Sequence, residues 1–156
     1  MRISQTAPQR SRKPAPRAEG SVERVRCVLM RDERYLLAKH NARRRENRSR
    51  WALVGGRVRD REDPQDCLRR ELIEEIDCRV SHLIELGDWQ HREETHRIFG
   101  AEIMQDIKTF DTNELSAIAW FTLAEVAQLA SAGRLRTGFE FAAIAAFERQ
   151  RASGRE

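Results

Sequence analysis

Three glutamates in one short stretch carry most of the chemistry this sequence offers. In CLRRELIEEIDC, Glu71, Glu74 and Glu75 stand at i, i+3 and i+4. If the stretch is helical, all three carboxylates share one face. Like charges so placed repel by roughly 0.2–0.5 kcal/mol per pair, and a divalent cation would reverse the sign of that interaction. Carboxylate oxygens are hard donors, which favours Mg2+ or Mn2+ over softer ions. Taken alone, the trio also reads as a solvated acidic face offset by Arg69 and Arg70.

The elements that would position these groups are legible from local signals. Asp63-Pro64 is a helix start, an N-cap acid followed by proline at the first helical position. The helix should run to about Ile76, with Leu68, Leu72 and Ile76 turned to the core. Upstream, Arg24–Arg31 and Arg34–His40 read as strands around a turn at Asp32-Glu33, and residues 41–50 (NARRRENRSR) as a polar loop. Trp51–Val54 reads as a short strand that Gly55-Gly56 ends in a tight turn. Downstream, strands are expected near Val80–Gln90, His96–Met104 and Ile118–Phe121. A capping box at Thr122 and Glu125 opens one helix, and a last helix covers about Phe139–Arg149. This succession predicts a layered, mixed α/β domain.

Composition bounds the function. The 156 residues suit one domain, and 40% apolar with 35% charged residues suits a globular protein with a wet surface. No apolar run approaches the roughly 20 residues needed to span a bilayer, and no secretory leader is visible. No membrane role is therefore expected, and a cytoplasmic location is the default. Cys27, Cys67 and Cys78 lack metal or disulfide spacing and read as buried thiols. The net charge of +4 comes from 26 arginines and only three lysines on the basic side, a composition suited to phosphate recognition. Residues 1–20, with five positive groups, one negative and three of the four prolines, read as a disordered basic tail. The domain is expected over residues 21–150, with a frayed end at 151–156.

The stretch Gly56–Cys78 (GRVRDREDPQDCLRRELIEEIDC) closely resembles the Nudix box. Gly56, Glu62, Arg70, Glu71, Leu72, Glu74, Glu75 and Cys78 fall on its positions with the right gaps. Asp77 departs from it, standing where the family has glycine. That position ends the helix, where a left-handed residue is often wanted, and Asp tolerates this conformation better than most. Leu53-Val54-Gly55-Gly56 looks like the family's leucine-proline-glycine-glycine lead-in, with valine for proline. The resemblance extends over about residues 22–150.

The resemblance implies a Nudix-type mixed β-sheet sandwiched between α-helices, with a catalytic loop–helix–loop. It implies that Glu74 and Glu75 ligate metal together with the backbone carbonyl of Gly56. Glu71 would be a further ligand or the base that takes a proton from water. Arg70 would orient the carboxylates, and Glu62 would brace the loop or hold a second metal through water. One more acid from a later loop is expected, with Glu114 the first candidate and Glu93, Glu94 and Asp111 its competitors. The implied reaction is metal-dependent hydrolysis of a phosphoanhydride in a nucleoside diphosphate derivative.

The substrate is less legible. The chain has no proline after Pro64, and its one tyrosine is Tyr35, so marks that the family carries for ADP-ribose and dinucleoside polyphosphates are missing. That points to a (deoxy)nucleoside triphosphate cut to monophosphate and pyrophosphate. The alternatives are an RNA 5′-end pyrophosphohydrolase and a non-catalytic nucleotide- or RNA-binding module. Lys39, Arg43, Arg44 and Arg45 are the candidate phosphate clamps. Phe139 and Phe141 read first as core residues, with stacking on a base as the alternative, and the four histidines are assigned ordinary roles. A small-molecule nucleotide is the expected partner, with RNA and a homodimer left open.

Overall fold

A computed structural model describes residues 21–154. The tail read at residues 1–20 lies outside that range. Six strands form one mixed sheet: β1 (Arg24–Arg31), β2 (Arg34–His40), β3 (Val54–Arg57), β4 (Ile84–His91), β5 (Glu94–Glu102) and β6 (Leu115–Phe121). The order is β4-β5-β1-β2-β6, and β3 also pairs with β1. Only the β1–β5 pairing is parallel. The helices are α1 (Pro64–Ile76), α2 (Leu123–Ser131) and α3 (Glu140–Ser153), with a 3-10 turn at Arg45–Ser49.

Strand alternation sorts the core into two layers. On one face, Val25, Cys27 and Leu29 of β1 pack with Cys67, Leu68, Leu72 and Ile76 of α1. On the other, Val28 and Met30 pack with Val126 of α2 and Ala143, Ile144 and Phe147 of α3. The sheet is thus sandwiched between helices, as expected. Full burial of Leu68, Leu72 and Ile76 contributes about 1.5–3 kcal/mol each and fixes which face of α1 is left for chemistry. All three cysteines are buried and free.

Helix α1 has the predicted ends. The Asp63 carboxylate accepts from the backbone N–H of Gln65 (3.0 Å) and Asp66 (3.2 Å), and Pro64 opens the first turn. Asp77 closes the helix in the left-handed conformation, φ 50 and ψ 42. Its side chain is exposed, and the residue costs more there than glycine would. Asp77→Gly should therefore raise stability by roughly 0.5–1 kcal/mol with turnover unchanged. An unaltered or lower melting temperature would refute this.

Several boundaries differ from expectation. Gly55 and Gly56 do not end a strand in a turn. They lie inside β3, opposite Arg26 and Val25, and Val54 is a fully buried strand residue rather than part of a loosened turn. Trp51 and Ala52 form only isolated bridges, to Leu135 and Ala38. Strands β4 and β5 meet at a two-residue hairpin, Arg92-Glu93, both at positive φ, matching the Asp32-Glu33 turn of β1–β2. Neither turn carries the glycine or asparagine that usually marks such hairpins, which hid the second one. Residues 80–83 are not strand, because the Arg69 guanidinium ties the Val80 and Ser81 carbonyls back to α1. The last helix runs through Ser153, so the chain is not frayed from residue 151. Arg151 there pairs with Glu33 (3.4 Å) and Glu102 (3.8 Å).

Candidate active site

The site begins where β3 crosses below α1. A Cβ at Gly56 would enter the Glu71 carboxylate, 2.7 Å from its Oε2. Only glycine lets this side chain lie against the strand. Glu75, one turn on, is 5% exposed, and its Oε2 is buried with no hydrogen-bond partner. Burial, reinforced by the nearby Glu71 charge, pushes the Glu75 carboxyl up to about 8. Burial also raises Glu71, with repulsion from Glu74 adding and Arg70 opposing. Glu74 is half exposed at the rim.

Arg70 organises this set. Its Nε and Nη2 donate to both oxygens of Glu62, at 2.8 and 3.0 Å. Its Nη1 donates to Glu71 (3.1 Å) and Glu74 (3.1 Å). That two-pronged bond holds the Glu62 carboxyl down at about 2. Glu62 also accepts from the Arg59 N–H at 3.1 Å, so it braces the loop before α1.

The donors suit a hard divalent cation, and the orphaned, charge-averse Glu75 oxygen is what such an ion would satisfy. The arrangement is not closed around one. Among the described residues, no three acidic, histidine or cysteine groups converge on a single point, because Arg70 holds Glu71 and Glu74. Glu74 would have to leave Arg70 to join a shared ligand sphere.

The carboxylates line a cleft of about 590 Å³. Asp111 and Glu114 also line it, and Glu114 stands close enough to raise both Glu71 and Glu75. Their loop is tied down by the Asp111 N–H on the Glu75 carbonyl (2.7 Å) and the Asn41 N–H on the Glu114 carbonyl (2.9 Å). Of the competing acids, Glu93 sits in the exposed hairpin turn. Glu94 is taken by Arg24 (3.2 Å) and Arg57 (3.1 Å).

The expected phosphate clamps are elsewhere. Lys39 lies on the Tyr35–Leu37 side of β2, its ammonium 4.8 Å from the centroid of the Trp51 ring, and does not line the cleft. Arg43, Arg44 and Arg45 are exposed and do not line it either. The basic wall comes instead from Arg24, Arg26, Arg57, Arg59 and Arg136, with His40 beside them. One signal was available: in RVRCVLMR, Arg24 and Arg26 occupy the strand face that continues as Val28 and Met30. Cations on a core-facing row announce a ligand or a buried partner.

A family model described as the NUDIX domain matches residues 21–139. The chain belongs to the Nudix family. Nudix hydrolases act on nucleoside diphosphate derivatives and require divalent metal ions, and this chain is a pyrophosphohydrolase of that family. No curated protein matches it. Among solved structures it is similar to the NUDIX domain of Shewanella oneidensis NrtR complexed with ADP ribose. That pair has 16% identity and TM-score 0.68, covering 88% of this chain and 94% of that one. A NUDIX hydrolase from Nitrosomonas europaea has 20% identity and TM-score 0.67, covering 83% and 90%. A MutT NUDIX hydrolase from Burkholderia pseudomallei has 24% identity and TM-score 0.57, covering 65% and 84%. At these identities the likeness is one of Nudix fold. Among the described residues no helix is long and apolar enough to cross a membrane.

Proposed function

We propose that this Nudix hydrolase cuts a (deoxy)nucleoside triphosphate to monophosphate and pyrophosphate, using Mg2+ or Mn2+. The observation that carries the reading is the buried, unpartnered Glu75 oxygen, which opens with Glu71 and Glu74 into a cleft whose other wall is arginine. A bound divalent cation would neutralise the diphosphate and make its attacking water more acidic. Glu71, raised by burial, takes a proton from the water that attacks phosphorus. The phosphorus–bridging oxygen bond breaks, and pyrophosphate leaves with the bonding electrons. Arg70 keeps Glu71 aimed through its 3.1 Å bond, and Glu62 keeps Arg70 in place. Glu114 or Asp111 supplies the further acid. RNA 5′ ends rank second, because the arginine loop that suggested them does not line the cleft.

The test is product analysis over nucleoside triphosphates, nucleotide sugars, dinucleotides and triphosphorylated RNA, with Mg2+ and with chelator. Monophosphate plus pyrophosphate from a free triphosphate, abolished by chelator, is expected. Diphosphate plus orthophosphate, or preference for RNA by more than tenfold in kcat/KM, would overturn the proposal.

Glu75 also makes stability depend on metal and pH. Its carboxyl is raised from an ordinary 4.5 to about 8 in the fold. Its contribution to stability is therefore fully present below the ordinary value and is lost as pH climbs through about 8. His40 and His96, each lowered to about 3 by burial, act in the opposite sense between about 3 and 6.5. Comparison with Glu75→Gln separates the two effects. In chelator, wild type should lose several degrees of melting temperature relative to Glu75→Gln between pH 5 and 8. Added Mg2+ should restore more at pH 8 than at pH 5. Parallel curves for the two proteins would contradict the Glu75 assignment.

A further inference from the structure

The cleft continues into a smaller compartment of about 140 Å³. The two share Arg24, Arg26 and Arg136, and Asn47, His91, Arg92, Glu94, His96 and Thr137 line the remainder. Nothing in the carboxylate chemistry uses this space. Its polar groups are unusually unsatisfied. Arg26 is 6% exposed, yet its guanidinium makes one hydrogen bond, from Nη1 to the Leu53 carbonyl (3.3 Å), and its Nε has no partner. His96 is 2% exposed, and neither ring nitrogen has a partner.

The nearby carboxylates are already committed. Glu94 holds Arg24 and Arg57. Glu140 is fully buried and accepts from the N–H groups of Thr137 (3.0 Å) and Gly138 (2.8 Å). Among the described residues no carboxylate forms an ion pair with Arg26 or Arg136, and Glu140 acts on both only from beyond ion-pair distance. Withdrawing a guanidinium from water without a directly paired counter-charge is costly, and an arriving anion offsets that cost. Burial and the adjoining arginines lower His96 to about 3, so it is a neutral ring that presents one donor and one acceptor. The ring is held in place by Phe139, with centroids 5.2 Å apart.

We propose that this compartment takes a phosphoryl group of the substrate beyond the diphosphate that is cut. The substrates are then nucleotides with an additional phosphate, rather than diphosphates ending in a neutral sugar. This rests on the reading of the carboxylate wall as the hydrolytic site. The additional group is either the third phosphate of a 5′-triphosphate or a 3′-phosphate, and both present the same dianionic oxygens to Arg26 and Arg136.

The experiment compares four compounds of one nucleoside with the full chain and Mg2+: the 5′-diphosphate, its sugar conjugate, the 5′-triphosphate, and the 3′-phosphate 5′-diphosphate. Either or both of the last two should show a KM at least about tenfold below the first two, and which one does so identifies the source. Arg26→Gln and Arg136→Gln should erase that preference, raising KM for the preferred compound at least about tenfold more than KM for the sugar conjugate. Arg136 is only partly buried, so its variant carries the test where Arg26→Gln does not fold. In parallel, inorganic phosphate is titrated by calorimetry into the metal-free protein. Saturable binding that Arg136→Gln abolishes is expected even if no compound is hydrolysed, which separates this inference from the reaction itself. It is overturned by a KM indifferent to the added phosphate, by equal losses for all four compounds, or by phosphate binding that survives Arg136→Gln.

Discussion

Glu75→Gln is expected to lower kcat by at least about a hundredfold while leaving the metal-free protein no less stable than wild type at neutral pH. The first half follows from the several kcal/mol that a positioned divalent ion contributes to a transition state with developing charge, at about 1.4 kcal/mol per tenfold in rate. Glutamine keeps the shape of the side chain but lacks the charge that would draw an ion to the buried oxygen. The second half follows from the burial of that oxygen. With its carboxyl raised to about 8, Glu75 is largely neutral at pH 7 without metal, and glutamine resembles that neutral form. Steady-state kinetics across a Mg2+ series, with melting in chelator, check both halves. Turnover near wild type would remove Glu75 from the reaction. Loss of turnover accompanied by a collapse in melting temperature would make its role structural.

The two adjacent glycines should separate just as sharply, each by a different mechanism. At Gly55, φ is +153, and an added Cβ would enter the Val25 carbonyl and lie 2.8 Å from Arg26 Cα. Both obstacles are backbone in the middle of the β1–β3 pairing, so neither can move without breaking it. Gly55→Ala should therefore cost about 3 kcal/mol or more and lower the melting temperature strongly. At Gly56 the obstacle is the Glu71 carboxylate, the far end of a flexible side chain. Gly56→Ala should shift Glu71 instead of the strand. It should cost little stability and cut kcat by about 10²-fold or more, the scale of losing a positioned base or ligand. Thermal melting and kinetics on the two variants decide it. Equal effects on both readouts would mean that the glycines act as one rigid strand segment.

The pair also shows how this site is assembled. Glu71 lies where it does because β3 offers bare backbone, and because Arg70 restrains it from the other side. Arg70 in turn is held by Glu62, from the loop before the helix. A carboxylate set with such mutual repulsion is held ready in the metal-free state by one guanidinium that partly neutralises it. The ion would take over the role Arg70 plays for Glu74, whose carboxylate is half exposed and freest to swing.

The helix, its caps and its acidic face were legible in the sequence because each is a local matter. Asp63-Pro64, the apolar row Leu68, Leu72 and Ile76, and Glu71, Glu74 and Glu75 lie within a window of fourteen residues, whose geometry the helical period dictates. The left-handed Asp77 belongs to the same class. The basic wall is of another kind. Arg24, Arg26, His40 and Arg136 are separated by up to 112 positions and meet only because β1, β2 and the segment before α3 are brought to one cleft. Lys39 was the natural choice on sequence, yet the face it takes on β2 directs it to Trp51 and leaves the cleft to His40. Likewise Arg43, Arg44 and Arg45 formed the denser cluster, while the cleft took Arg24 and Arg26 from β1 and Arg57 from β3. Strand register and long-range pairing decide such placements, and a one-residue shift sends a side chain to the opposite face. No local stretch of residues carries that information, so which arginines line the cleft was decided by the tertiary structure alone.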